Sequence, residues 1–250
     1  MQIRFEQVSL GAGRGPSSSK KPLPVTYYLL QDLSFEIAKG ERVAIAGASG
    51  SGKTSLLRLL NRLTDPTQGK IYIDARSLQD IPVLQLRQQI LYVSPEPKLL
   101  GMTVQEALKY PLMLRGIRDA GQRIRNWLDR LKIPSDWLEK TELQLSIGER
   151  QWVSIARALV CESPILLLDE PTANLDAGRS DRLLKVLHQT SQTGQTILVA
   201  THQLEWAEQL AQRVLHLQRG ALVQESDRVD WQALRLAIAQ VEAEEAAEWE

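Results

Sequence analysis

The chain is poor in cysteine, in aromatic residues and in charge of one sign. It has 250 residues with one cysteine, Cys161, and two phenylalanines, and aromatic residues make up 5% of it. A lone cysteine excludes an intrachain disulfide and fits a reducing compartment. Lys plus Arg number 30 and Asp plus Glu number 30, so the basic excess expected of a nucleic-acid binder is missing. No apolar run approaches the roughly 18–20 residues that cross a bilayer, so any membrane span must come from another chain. Met1-Gln2-Ile3-Arg4 lacks the charged-then-apolar pattern of a secretion signal. What is present is an ordinary apolar share of 43%. The length suits one large domain, or a core with an inserted subdomain.

Hydrophobic spacing divides the chain into three stretches. Residues 2–8 alternate as a strand, Gly11 to Lys21 reads as an exposed Gly/Ser/Lys loop, and Val25 to Ile37 resumes the alternation. Arg42 to Ala46 is a short buried strand. Thr54 to Leu63 has helical spacing, with Leu56, Leu57, Leu59, Leu60 and Leu63 on one face. Lys70 to Asp74 returns to a strand. From about Pro95 to Gln144 strand signals vanish and helices are expected at Val104 to Leu114 and Ala120 to Leu131, with Pro111 and Pro134 as punctuation. Strand and helix then alternate: helix 147–161, strand 165–169, helix 178–192, strand 196–200, helix 203–211, and strands Arg213 to Leu217 and Leu222 to Glu225. This pattern predicts an α/β fold with an open, mostly parallel sheet. The tail from Trp231 reads as a solvated acidic helix with Glu242, Glu244, Glu245, Glu248 and Glu250.

Two motifs carry chemistry on their own. Gly47-Ala48-Ser49-Gly50-Ser51-Gly52-Lys53-Thr54 matches G-x-x-x-x-G-K-S/T between a predicted strand and a predicted helix. Glycines at 47, 50 and 52 let backbone N–H groups turn inward around phosphate oxygens, with Ser49, Ser51 and Ser55 alongside, and the helix N-terminus adds partial positive charge. Lys53 is placed to reach the β- and γ-phosphates and Thr54 to offer its hydroxyl to Mg2+. Ile165 to Leu168 is a buried strand that ends in Asp169-Glu170, at the edge where open α/β sheets bind ligands. Asp169 suits Mg2+, and Glu170 suits activation of an attacking water.

The most telling segment is Leu145-Ser146-Ile147-Gly148-Glu149-Arg150-Gln151. Read locally, Ser146 to Glu149 is a capping box that starts a helix. Together with the phosphate loop, Asp169-Glu170, Asn174-Leu175-Asp176 and Thr201-His202, in this order and spacing, it resembles the ATP-binding cassette ATPases over about residues 2–225. The resemblance implies a P-loop NTPase (RecA-like) core at 1–94 and 152–230, with an N-terminal antiparallel β subdomain. An inserted α-helical subdomain at about 95–151 would carry the signature, and 231–250 would be a tail. It implies ATP and Mg2+ as ligands and a head-to-tail homodimer or paired cassette. In that pairing Ser146, Gly148 and Glu149 contact ATP in trans and Asp176 lies at the dimer seam. His202 bonds the γ-phosphate beside Glu170. The resemblance further implies a separate transmembrane permease, a place on the cytoplasmic face of the inner membrane, and no nucleic-acid partner.

The chain departs from that pattern at three places. The signature has Ile147 for its first glycine and Glu149 for its glutamine. Pro95 occupies the place of a glutamine that in the family meets Mg2+ and couples to the membrane partner; proline has no side-chain donor or acceptor. A metal-shell water, or Glu96, is the expected substitute. The adenine-stacking aromatic falls at Ala12, leaving Tyr28, or Tyr27, to supply a ring. The segments 95–104 and Tyr110 to Arg115 most resemble the ATPase subunit of iron-efflux exporters, a likeness shared with phosphate-importer and lipoprotein-release ATPases. The reading is therefore an ATPase that powers transport of an unidentified solute. The alternatives are a nucleotide-gated regulatory subunit of low turnover and a soluble non-transport cassette ATPase.

Overall fold

A computed structural model describes residues 2–12 and 27–247. The described residues form ten strands and eight α-helices: β1 (Ile3–Ala12), β2 (Tyr27–Ile37), β3 (Arg42–Ala46), α1 (Lys53–Leu60), β4 (Gln68–Ile73), β5 (Arg76–Ser77), α2 (Val83–Gln89), β6 (Ile90–Val93), α3 (Val104–Leu114), α4 (Ala120–Leu131), α5 (Ile147–Leu159), β7 (Ile165–Asp169), α6 (Ala177–Gln192), β8 (Thr196–Ala200), α7 (Leu204–Leu210), β9 (Arg213–Gln218), β10 (Ala221–Ser226) and α8 (Trp231–Ala247). They build two sheets. One is antiparallel with order β2-β1-β4-β5, and the other has order β10-β9-β3-β8-β7-β6. In the second sheet every pairing is parallel except β9 with β10. The α/β class with an antiparallel N-terminal sheet and a mostly parallel core agrees with the sequence reading.

The sequence accounts for this layering. All five residues of β7 are buried, as are those of β8, which is what continuous aliphatic runs produce when both faces of a parallel sheet are covered. Helix α1 lies between the two sheets. Its Leu56, Leu57, Leu59 and Leu60 share a core with Ile3 and Ile71 of the first sheet and Ile45 and Leu198 of the second. Stacked Phe5 and Phe35, with ring centroids 4.4 Å apart, pin β1 to β2. Helices α3 to α6 close the opposite face around Trp127 and Trp152. Trp152 Nε1 finds its acceptor in the Leu131 carbonyl at 3.2 Å, so the ring is buried without an orphan donor.

Several expectations are corrected. Strand β1 runs on through Gly11 and Ala12, which pair with Tyr28 and Tyr27, so the predicted loop begins later than expected and otherwise lies outside the described residues. Helix α1 stops at Leu60, because Arg62 turns left-handed (φ 49) and Leu63 is left exposed. Helix α2 was unforeseen: only Leu86 of its seven residues is buried, so it has no apolar stripe to betray it. Helix α3 has the expected bounds, with Pro111 inside it. The tail is no free, solvated helix. Leu234, Ile238 and Val241 are buried at i, i+4, i+7 spacing, and Leu234 and Ile238 pack with Ala44, Ala46 and Val214.

The fold depends most on the helix between the sheets. Leu57→Ala removes a fully buried side chain there and is expected to cost about 2–5 kcal/mol. Leu84→Ala, at a position 80% exposed on α2, is expected to stay within about 0.5 kcal/mol of the parent. Urea unfolding followed by circular dichroism measures both.

Candidate nucleotide site

Strands β3, β7 and β8 are parallel neighbours, so their carboxyl ends emerge along one edge of the sheet. The phosphate loop follows β3, Glu170 follows β7, and Thr201-His202 follow β8. Residues more than 100 positions apart in sequence therefore meet at the crevice where such sheets bind ligands.

The phosphate loop has the shape its glycines permit. Gly47 (φ 149) passes so close to the end of β9 that a Cβ would lie 2.2 Å from the Leu217 carbonyl and 2.6 Å from Ser51 Oγ. Gly52 (φ 105) presses on Leu30 in the same way, with 2.6 Å to its Cδ2. Only glycine takes up both the dihedrals and the contacts. Gly52 also caps α1 with no side-chain bond, and the first turn has no acid. Helices α3, α5 and α6 are instead capped by Thr103, Ser146 and Asp176. The α1 N-terminus alone among these leaves its N–H groups for an anion. Ser51 Oγ is buried without a partner, a further donor in the cradle. Ser49 is exposed at the mouth and Ser55 is half-buried in the first turn. Lys53 Nζ donates to the Gly47 and Ala48 carbonyls at 2.8 Å each. Burial lowers its pKa, while the carboxylates of Glu170, Asp169 and Glu242 act the other way.

The carboxylates lie beside it. Asp169 is 1% exposed and accepts from Thr54 Oγ1 at 3.1 Å through one oxygen and from Tyr92 Oη at 2.8 Å through the other. Burial raises its pKa, and the two hydrogen bonds oppose that rise. Tyr92 is pushed up to about 12, chiefly by burial and then by the bond to Asp169, so its hydroxyl remains a donor at neutral pH. Glu170 has a left-handed backbone (φ 46), an uncommon conformation for a residue with a side chain. Its Oε2 lies 2.9 Å from His202 Nδ1 and accepts from Thr201 Oγ1 at 3.2 Å and from the His202 N–H at 3.4 Å. The His202 side chain is 61% exposed.

The signature segment stands apart. Ser146 and Glu149 form the expected capping box, at 2.7 and 3.2 Å. Ile147 is exposed. Gly148 is glycine for a reason internal to the chain: a Cβ there would lie 2.5 Å from the Asn174 carbonyl. Helix α5 thus packs on the loop after Glu170, and Gln151 Nε2 donates to the Pro171 carbonyl at 3.4 Å. Asp176 caps α6 through the Arg179 N–H at 2.9 Å and pairs with its guanidinium at 3.1 Å. Among the described residues, no hydrogen bond or ion pair joins 146–151 to the phosphate loop. Tyr28 Oη accepts from Gln68 Nε2 at 3.3 Å, and Tyr27, opposite Ala12, is 60% exposed. Glu96, offered as a substitute at the Pro95 position, pairs with Lys98 at 3.1 Å on the surface.

Sequence reasoning missed Tyr92 and Glu242. Tyr92 had a signal, a phenol inside the otherwise aliphatic strand Ile90-Leu91-Tyr92-Val93. Glu242 had none, because its electrostatic influence on Lys53 depends on how α8 packs.

Comparison with known proteins gives this edge its context. The family described as ABC transporter matches residues 30–173. The lipoprotein-releasing system ATP-binding protein LolD of Aquifex aeolicus is 35% identical over 81% of this chain and 93% of its own length. The ATP-dependent lipid A-core flippase of Burkholderia pseudomallei is 37% identical over 89% of this chain, which spans only 36% of that protein. A dimeric ATP-binding cassette solved in a post-hydrolysis state with ADP and Pi superposes with a TM-score of 0.78 at 27% identity, covering 90% of this chain and 97% of that one. The chain belongs to the ATP-binding cassette family, as an ABC transporter ATP-binding domain.

Proposed function

We propose that the chain hydrolyses ATP to power solute transport through a separate permease, as one of two head-to-tail cassettes on the cytoplasmic face of the inner membrane. The observation that carries this is the convergence of Lys53, Thr54, Asp169, Glu170 and His202 on one sheet edge, in front of an α1 N-terminus that has no cap of its own. Among the described residues no helix is long and apolar enough to cross a membrane, which accords with a separate permease.

Each residue has work that its geometry suits. Gly47, Ser49, Gly50, Ser51, Gly52 and Ser55 surround the phosphates, and Lys53 neutralises them. Thr54 Oγ1 and Asp169 Oδ1, 3.1 Å apart, are hard oxygen donors of the kind Mg2+ takes. Among the described residues no group of three or more His, Cys, Asp or Glu could hold a metal ion by itself, so phosphate oxygens and water would complete the shell. When bound, Mg2+ would offset charge on the β- and γ-phosphate oxygens. Glu170 accepts the proton of the attacking water. With Nδ1–H donated to Glu170, His202 donates to the γ-phosphate through Nε2 only when its ring is protonated, which matches a developing negative charge.

The dimer reading rests on the absence, among the described residues, of any hydrogen bond or ion pair between the signature segment and the phosphate loop. Ser146, Gly148 and Glu149 then meet the partner's ATP, and Asp176 lies at the seam. The permease reading rests on an apolar surface on the 94–118 segment, where Leu100, Tyr110, Met113 and Leu114 are exposed beside a cavity of about 410 Å3. For adenine, the ring opposite Ala12 is Tyr27, and the Tyr28 hydroxyl is already engaged by Gln68. Geometry therefore favours Tyr27 over Tyr28. The relatives' names point to different cargoes, lipoproteins and lipid A, so cargo is assigned to the permease.

Glu170→Gln is expected to lower ATPase turnover by about 10²–10⁴-fold. ATP binding should survive and a dimer should accumulate by size exclusion with Mg-ATP. Near-zero turnover in the parent, unchanged by the substitution, would instead favour the regulatory reading. Tyr27→Ala is expected to weaken binding of a fluorescent ATP analogue by about 1–3 kcal/mol, and Tyr28→Ala by less. A Met113→Glu, Leu114→Glu double variant should bind ATP normally yet leave the membrane fraction; retention there would remove the permease surface from 94–118.

A further inference from the structure

The position where the family carries its glutamine is Pro95, which offers no side-chain bond. Its neighbours do not fill the role. Ser94 Oγ is occupied by the Glu96 N–H at 3.3 Å, and Glu96, with its side chain 76% exposed, turns to Lys98. The group from this strand that does touch the metal-site carboxylate lies three residues earlier.

Tyr92 is on β6 and pairs with Leu167 of β7, so Asp169 is its diagonal neighbour two residues along the same face. That diagonal is within reach of an aromatic side chain. The phenol spans it and donates to Asp169 Oδ2 at 2.8 Å, while Thr54 donates to Oδ1. The carboxylate is therefore held at both oxygens, and the plane in which it could face a cation is set by one bond from each side. The Arg58 guanidinium, on α1, acts on the same phenol. The ring of Tyr92 packs with Ile90 and the α1 leucines, on the face of β6 that carries the nucleotide edge.

We infer that Tyr92 is a positioning residue that orients Asp169 for Mg2+, a task for which Pro95 provides no side chain. This rests on the reading of Asp169 as the metal-holding carboxylate. Groups that orient a metal ligand from behind are worth about 10–100-fold in metal affinity. Because only the hydroxyl is at issue, the ring and its packing can be left in place.

The test is Tyr92→Phe in the Glu170→Gln background, with Mg2+ titrated at fixed ATP and dimer formation followed by light scattering. The half-saturating Mg2+ should rise about tenfold. ATP-analogue binding in EDTA and the melting temperature should match the parent. A Mg2+ curve within twofold of the parent overturns the inference. Asp169→Asn serves as the reference. If it too leaves the Mg2+ curve in place, the metal reading of Asp169 fails and the inference with it; if it moves the curve while Tyr92→Phe does not, only the role of Tyr92 fails.

Discussion

Parallel pairing of β3 with β8 and of β8 with β7 is the constraint on which the rest of the molecule depends. It sends three chain segments out of the same edge of the sheet. Each strand is too short and too apolar to place a polar group anywhere but its end. Asp169 is the first polar residue of β7, and the phosphate loop and Thr201-His202 likewise begin where β3 and β8 stop. The helices that cover both faces are the other half of this constraint. They bury five-residue aliphatic strands completely, and a fully buried strand has no slack in register.

The site shows how burial and hydrogen bonding are balanced at that edge. Asp169 is almost wholly buried, which by itself favours the neutral acid, and it is held against this by donors from α1 and β6. Lys53 is subject to the converse pair of effects, with desolvation set against three carboxylates. Glu170 has a left-handed backbone, and its carboxylate lies 2.9 Å from His202 Nδ1. The edge is a set of opposed charges whose separation is enforced by backbone geometry. One of them, Glu242, comes from a helix whose Leu234 and Ile238 pack on the strand preceding the phosphate loop.

Much of this was legible in the linear pattern because it depends on local chemistry. The glycines of 47–52 are required by dihedrals and close approaches, and Ser146 with Glu149 by a helix start. Aliphatic runs gave β3, β7 and β8 almost to the residue. Legibility failed where local pattern and tertiary packing part company. Helix α2 has one buried residue and so no periodicity to read. The acidic letters of the tail masked the Leu234, Ile238, Val241 stripe that docks it. The motif alone does not reveal a second requirement at Gly148, a contact with the Asn174 carbonyl that already demands glycine there.

The sequence by itself determined the class of machine, because a phosphate loop, an aliphatic strand ending in two acids and a capped signature helix each follow from residues adjacent in the chain. Only the tertiary structure decided which groups act on one another. That Glu170 meets His202 and that Asp169 is held by Tyr92 are facts about strand register. Such contacts join residues tens to hundreds of positions apart, and no spacing rule along one strand or helix encodes them.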